Sequence, residues 1–393
     1  MRLLFVADGR SPTALNWLRY FCERGDQVYL ASTFACSPDL PLSGLEIVPV
    51  AFSGLKTSPG NAPARPRRGL HVPWGWGTST LQLRTLLRQW LGPITIPRAA
   101  PRLRGYIQRT QPDLVHAMRI PYEGMLAAEA VAGLAPLLVS VWGNDFTLHA
   151  PSTPLMRHYT HWTLSVADAL HADCQRDIRL ARQFGFDLHK PALVIPGSGG
   201  IRAGVFSPPV APPGAPLIVN PRGFRAYVCN AAFFQAIPLV LKERPDARFV
   251  CPAMLGERQV LDWIEKLGIA HAVELTAPLP QPQLADLFRS AQVVVSPTTH
   301  DGTPNSLLEA LACGCFPVAG DLDSIREWIT PGRNGLLVDA TNPPALADAI
   351  LRALNDPALR QTAAAINAEI IAQRAEYTRC TSRAADFYKT LIR

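Results

Sequence analysis

Two carboxylates flank a turn in the stretch SPTTHDGTPNSLLEALACGCFPVAG: Asp301 stands before Gly302-Thr303-Pro304-Asn305, and Glu309 after it. Leu307, Leu308, Leu311 and Ala312 repeat at helical spacing, so the turn runs into a helix N-terminus near Ser306. Such an end presents N–H groups without intrahelical partners, which suit phosphate or sugar oxygens. Glu309 sits about one turn inside that helix, close enough to chelate neighbouring hydroxyls of the same ligand. A nucleotide sugar carries both kinds of group. Breaking its anomeric C–O bond leaves a diphosphate, so something cationic must meet the developing negative charge. Arg222 and Arg225, in the segment PRGFRAYVCN after the apolar run 217–220, are placed for this, because ligands of doubly wound sheets bind outside the carboxyl ends of strands. Asp321-Leu322-Asp323 has the letters of a metal-holding Asp-x-Asp, but reads as a loop, and no metal is expected. Elsewhere, Trp142-Gly143-Asn144-Asp145 follows the run 137–141 and turns sharply at Gly143. Asp145 fits two roles, orienting the hydroxyl of a second substrate or capping a helix. His116, which ends the run 114–116, likewise fits a place on that rim or a hydrogen-bonded structural role.

The elements that must position these residues alternate. Short apolar runs at 3–7, 28–32, 114–118, 137–141, 169–172 and 193–195 are interleaved with helical stretches at 13–24, 122–132 and 174–184. A second series of runs falls at 217–220, 248–251, 273–275, 292–296, 316–319 and 335–338. Alternation of this kind predicts parallel sheets covered on both faces, here in two Rossmann-like units. The Pro- and Gly-rich segment 195–216 separates them, giving an N-terminal unit over 1–200, a linker over 201–216 and a C-terminal unit over 217–375. Gly197, Gly199, Gly200 and Gly204 imitate a dinucleotide fingerprint. Arg202 occupies its sixth position, however, and Pro208-Pro209 forbid the helix it needs.

Glu309, Ala310, Ala312, Gly314, Pro317 and Val318, with Asp301 eight positions ahead of Glu309, resemble the signature of the retaining GT-B glycosyltransferases of family GT4. That pattern has Glu at both positions, so Asp301 is a departure. The resemblance implies an α/β GT-B fold, two Rossmann-like domains facing a central cleft, with the final helix returning so that 376–393 complete the N-terminal domain. It implies donor binding in the C-terminal half and acceptor binding in the N-terminal half. It also implies an Arg followed five residues later by a Lys, both on the diphosphate. Arg222 fits the first, Tyr227 stands in place of the second, and Arg225 is the proposed substitute. The family often has a His where Trp142 stands, so Trp142, Gly143 and His116 are left as the acceptor-side candidates. The front-face route usual for the family, in which the leaving phosphate takes the acceptor proton, assigns Asp301 to donor-sugar hydroxyls and Glu309 to the ribose. Gly302, Thr303, Pro304, Asn305, Ser306 and Leu307 then surround the sugar and diphosphate. The expected donor is a UDP- or GDP-sugar, the acceptor a glycan, a lipid-linked sugar or a small molecule, with no cofactor. Rival readings on the same architecture are a sugar-nucleotide epimerase and a binding protein without turnover. A phosphorylase would need a pyridoxal lysine, and Lys242, Lys266 and Lys389 stand in no glycine-rich turn.

A chain of 393 residues with 18% charged residues is long enough for two cores. It has no run of eighteen apolar residues, and MRLLFVADGR, interrupted at Asp8, reads as a first strand rather than a signal peptide. The eight cysteines show no CxxC spacing, which fits reduced thiols and a cytoplasmic setting. The net charge of +7 is concentrated. Between 47 and 112 there is no Asp or Glu, while Lys56, Arg65, Arg67, Arg68, Arg84, Arg88, Arg98, Arg102, Arg104 and Arg109 fall inside, with Trp74, Trp76 and Trp90. Three readings stand, peripheral contact with an anionic membrane, attraction of a phosphorylated acceptor, or a solvated basic face. Nucleic acid is not expected, because no helix-turn-helix, zinc or RNP motif accompanies the charge.

Overall fold

The computed structural model describes residues 1–53, 88–211 and 213–392. Its strands are β1 (Arg2–Ala7), β2 (Gln27–Ser32), β3 (Gly44–Ile47), β4 (Leu114–Ala117), β5 (Leu137–Val141), β6 (Ala169–Ala172), β7 (Ala192–Val194), β8 (Leu217–Val219), β9 (Arg248–Pro252), β10 (Val273–Thr276), β11 (Val293–Ser296), β12 (Phe316–Gly320) and β13 (Leu336–Val338). They form a seven-stranded sheet ordered β3-β2-β1-β4-β5-β6-β7 and a six-stranded sheet ordered β10-β9-β8-β11-β12-β13. The registered pairs run parallel in both, for instance Phe5 beside His116 and Val294 beside Val219. Continuous apolar runs make this possible, because helices cover both faces and the central strands are buried on each side.

The strand order reverses between β1 and β4 in the first sheet and between β8 and β11 in the second. A crevice opens at such a point because the connecting helices leave in opposite directions. The loops after β8 and β11 carry Arg222 and Asp301, and those after β1 and β4 carry Asp8 and Arg119. Topology alone therefore gathers the polar residues.

The helix Pro357–Arg374 lies on the C-terminal unit, where Ala363 and Ile371 are buried. The chain then returns. In the helix Tyr377–Leu391, Cys380, Ala384, Ala385 and Tyr388 join a core with Leu3, Phe5, Trp17 and Phe21 of the N-terminal unit. The two crossings are tied side by side, Ile201 N–H donating to the Ala375 carbonyl at 2.7 Å and Tyr377 N–H to the Ile201 carbonyl at 3.0 Å.

His116 is inside this core, 1% exposed, and does not stand on the rim. Its Nδ1 is 2.5 Å from the Tyr388 hydroxyl and its Nε2 is 2.7 Å from Ser140 Oγ. The sequence left both roles open, and burial beside the returning helix gives it the structural one. Of the basic segment, Arg102 and Arg109 pair with Glu46 at 2.6 and 3.3 Å, and Arg104 donates to the Glu129 carbonyl. Lys56, Arg65, Arg67, Arg68, Arg84, Trp74 and Trp76 lie outside the described residues. Among the described residues no helix is long and apolar enough to cross a membrane, and the eight cysteines are unpaired.

Candidate functional site

The helix Asn305–Ala312 begins after Pro304 without a side-chain cap, so its first N–H groups are open. Arg222 reaches this turn from the β8 loop. Its guanidinium donates to Asp301 Oδ2 at 2.5 Å and to Ser306 Oγ at 3.2 Å, and the Arg222–Asp301 pair is largely buried. Arg222 Nε and Asn305 Oδ1 are buried without a hydrogen-bond partner among the described residues. These are groups that a polar ligand would complete. Glu309 lies further into the helix and faces a cavity of about 500 Å³ shared with Asn305 and Gln281 of one unit and Asn16, Arg19 and Arg202 on the other side. Burial pushes its carboxyl up to about 7, against a smaller downward pull from Arg222.

The other donor-side residues divide. Leu307 is fully buried in the core of the C-terminal unit, so only its backbone belongs to the turn. The Thr303 hydroxyl donates to the Asp173 carbonyl at 2.6 Å and accepts from Trp328 Nε1 at 2.9 Å, which makes it a tie between the two units. Arg225 is exposed and donates to the Tyr227 hydroxyl at 2.9 Å. The Val228–Thr298 bridge keeps that pair beside the loop after β11. Asp321 pairs with Arg326 at 2.6 Å on the surface, and Asp323 opens the short helix Asp323–Arg326.

Across the cleft, Gly143 and Gly302 meet. A Cβ on Gly143 would fall 1.7 Å from the Gly302 nitrogen, and one on Gly302 would fall 2.2 Å from Asp173 Oδ1. Only glycine allows this approach. Arg176, at the start of the helix Gln175–Gln183, spans the contact: it donates to the Asp301 carbonyl at 2.6 Å, to Ser324 Oγ at 3.1 Å and to the Gly143 carbonyl at 2.8 Å. In return, Glu327 accepts the backbone N–H groups of Gln175 and Arg176 at 2.8 and 2.9 Å. Beside it, burial and the Asp177 charge hold the Asp173 carboxyl well above the usual range. Sequence reasoning missed Asp173, Arg176 and Glu327. The available signal was position, since Asp173 directly follows the carboxyl end of β6.

Asp145 is 1% exposed and turned inward. It accepts from Arg119 at 2.8 Å, from Trp142 N–H at 3.1 Å and from Ile120 N–H at 3.3 Å, so it pins its own loop to the one after β4. It makes no side-chain helix cap, and these bonds hold its oxygens to the protein's own loops. Trp142 lines a separate cavity of about 320 Å³ in the N-terminal unit, with Asp8, Arg10, Phe34, Arg88, Arg119, Tyr122, Glu123 and His149.

Comparisons with known proteins match two stretches of the chain to two family models. Residues 9–197 match the family described as "Glycosyl transferase 4-like domain", and residues 230–356 match "Glycosyl transferases group 1". A D-inositol 3-phosphate glycosyltransferase of Paenarthrobacter aurescens is 34% identical over 134 residues, 33% of each chain. That of Thermobispora bispora is 34% identical over 164 residues, 39% of this chain and 38% of its own. The match thus spans about a third of the length of these curated relatives. Among solved structures, Anabaena HepE in complex with UDP-glucose superposes with a TM-score of 0.74 at 15% identity over all of both chains. Sucrose-phosphate synthase from Thermosynechococcus elongatus gives 0.76 at 15% identity, over all of this chain and 99% of its own. At that identity the likeness is one of fold.

Proposed function

The chain belongs to the group 1 glycosyltransferases of the GT4 family, with the GT-B fold, and from that premise we propose that it moves a hexosyl group with retention from a UDP- or GDP-sugar to a glycan, lipid-linked or small-molecule acceptor. The observation that carries this reading is the Arg222–Asp301–Ser306 constellation at the uncapped start of Asn305–Ala312, with Glu309 behind it. The nucleotide lies with its ribose hydroxyls on Glu309, its diphosphate on Arg222 and the open N–H groups, and its sugar against Asp301. In the reaction the bond from the anomeric carbon to the β-phosphate oxygen breaks while the acceptor oxygen bonds that carbon on the same face. The acceptor's proton passes to the departing phosphate oxygen. Arg222 and the helix N-terminus stabilise the charge that develops there. UDP is favoured as the nucleotide because HepE, of the same fold, was solved with UDP-glucose.

A thermal-shift panel of UDP-, GDP- and ADP-sugars identifies the donor, since a ligand at a hundred times its Kd stabilises by about 2.7 kcal/mol. Product analysis with that donor then decides the reaction. A glycoside of retained anomeric configuration with free nucleoside diphosphate is expected. An isomerised sugar nucleotide with no free nucleotide points to an epimerase, and binding without turnover to a non-catalytic protein.

A further inference from the structure

The cavity beside Trp142 is built from the loops after β1 and β4, with Met118 and Pro121 as apolar surface and Phe34, Tyr122 and Trp142 as aromatic walls. Its volume of about 320 Å³ suits a small ligand. Three arginines line it. Arg10 is held by Asp8 through two bonds of 2.9 Å, and Arg119 by Asp145 at 2.8 Å. Arg88 has no carboxylate within ion-pair distance among the described residues. Its guanidinium instead lies 4.6 Å from the Tyr122 ring centre and 5.5 Å from that of Phe34. The neighbouring residues 54–87 cannot supply a counter-charge, because the chain has no Asp or Glu from 47 to 112. Burial pulls His149 down to about 4, so it is neutral near pH 7. The remaining carboxyl, Glu123, accepts from Thr33 at 2.8 Å; burial raises its pKa, against smaller downward pulls from Arg119 and Arg88.

The hydrogen-bonding balance leans the same way. Arg88 Nε, Arg119 Nε and Trp142 Nε1 are all buried without a partner among the described residues, and no fully buried side-chain acceptor of the lining residues is orphaned in the same way. Among the fully buried groups the unmet demand is for acceptors. Tyr122, with φ of +68°, is a strained non-glycine residue in this wall, and its hydroxyl holds the Arg88 carbonyl at 2.9 Å. Strain of this kind persists where surrounding contacts enforce it, and it clusters at ligand sites.

We propose that this cavity binds an anionic group of the acceptor, a phosphate or a carboxylate, with Arg88 supplying a charge that no ion pair holds among the described residues and Arg119 and Trp142 further donors. The inference rests on the proposed glycosyl transfer and gives the chemical class of its second substrate. Trp142 adjoins Gly143, which touches Gly302 and Asp301, so a ligand in the cavity lies next to the donor sugar's place.

The test is calorimetry on the full chain with saturating UDP present, so that the diphosphate site is occupied. Glucose 6-phosphate and glucuronate are compared with glucose. At least one anionic sugar is expected to bind tenfold or more tighter than glucose, with an advantage that fades as salt rises. Arg88→Gln should abolish that advantage while the UDP affinity and melting temperature stay unchanged, and Arg88→Lys should keep part of it. Equal binding of charged and neutral sugars, binding of none, or an unchanged advantage in Arg88→Gln overturns the proposal. Cosedimentation with phosphatidylglycerol against phosphatidylcholine vesicles distinguishes the sources. Arg88-dependent recovery on the anionic vesicles alone identifies a lipid headgroup, and its absence alongside sugar phosphate binding identifies a soluble acceptor. Turnover with neutral acceptors only would sink this inference and leave the glycosyltransferase reading intact. Anion binding without any turnover would do the reverse.

Discussion

At the scale of single residues, Glu309 is poised by its surroundings. Its carboxyl titrates near 7 because burial disfavours the charge, yet two ribose hydroxyls are best held by the carboxylate. The sign follows: below about 7 the site must release a proton to bind, so nucleotide affinity should fall by up to about tenfold per pH unit, and level off above. UDP-glucose is the right probe, since its esterified diphosphate does not titrate in this window. Glu309→Gln should weaken binding by about 1.5–3 kcal/mol and flatten the pH profile. Undiminished affinity in a folded variant would remove Glu309 from the site. Arg222 is predicted to do at the diphosphate what a metal would do. Activity should therefore survive EDTA, while Arg222→Gln should lower kcat on the order of a hundredfold. Loss on chelation, restored by Mg²⁺ or Mn²⁺, would instead promote Asp321 and Asp323. Asp301, Glu309 and Arg222 were legible in the sequence because short spacings and strand ends place them. Asp145 was not, because whether a loop carboxylate turns inward depends on Arg119 and Ile120, which lie about a strand and a helix away.

Among the elements, the returning helix is anchored by a chain of hydrogen bonds whose direction can be deduced. His171 Nε2 faces the Ile195 carbonyl at 3.1 Å, so it must carry the proton. Its Nδ1 then accepts from Ser140 at 2.8 Å, Ser140 accepts from His116 Nε2, and His116 Nδ1 accepts from Tyr388. Every member is satisfied with both imidazoles neutral, which agrees with the downward pull of burial on both, to about 4 for His171. Tyr388→Phe leaves a buried nitrogen without its donor and should cost about 1–3 kcal/mol in urea denaturation. Because the folded pKa values lie below the unfolded 6.5, this part of the stability is present above pH 6.5. It should be lost as pH falls towards about 4, at about 1.4 kcal/mol per unit for each imidazole. A stability unchanged between pH 7 and 5 would contradict the neutral chain. Most strands were legible, since strands buried on both faces read as continuous apolar runs. The edge strand β3, in a Pro-flanked and half-exposed stretch, gave no such run. The 122–132 helix was read too long, because Tyr122 occupies a positive-φ turn and the helix proper is Met125–Val131.

For the molecule as a whole, one guanidinium spans the contact between the two units, beside the ties made by Thr303 and Glu327. Arg176 uses its N–H groups on Asp177, Gly143, Asp301 and Ser324, so it fixes the loop after β5 and the loop after β11 at once. No sequence pattern announces this, because partners 125 and 148 positions away are joined only by the fold. A lysine has the charge but not the planar fork, and it cannot serve both loops. Arg176→Lys and Arg176→Ala are therefore both expected to lower kcat on the order of a hundredfold, the scale of a misplacement near 1 Å. UDP affinity should change little, because Arg222 and Glu309 remain in place. Gly143→Ala tests the same closure from the backbone side, since its methyl would strike Gly302, and it should reproduce the kcat loss without loss of UDP binding. Small-angle scattering with UDP-glucose bound should show all three variants more extended than the parent. Full kcat in Arg176→Lys would mean that the units close without this residue, and that its bonds only accompany the closed arrangement.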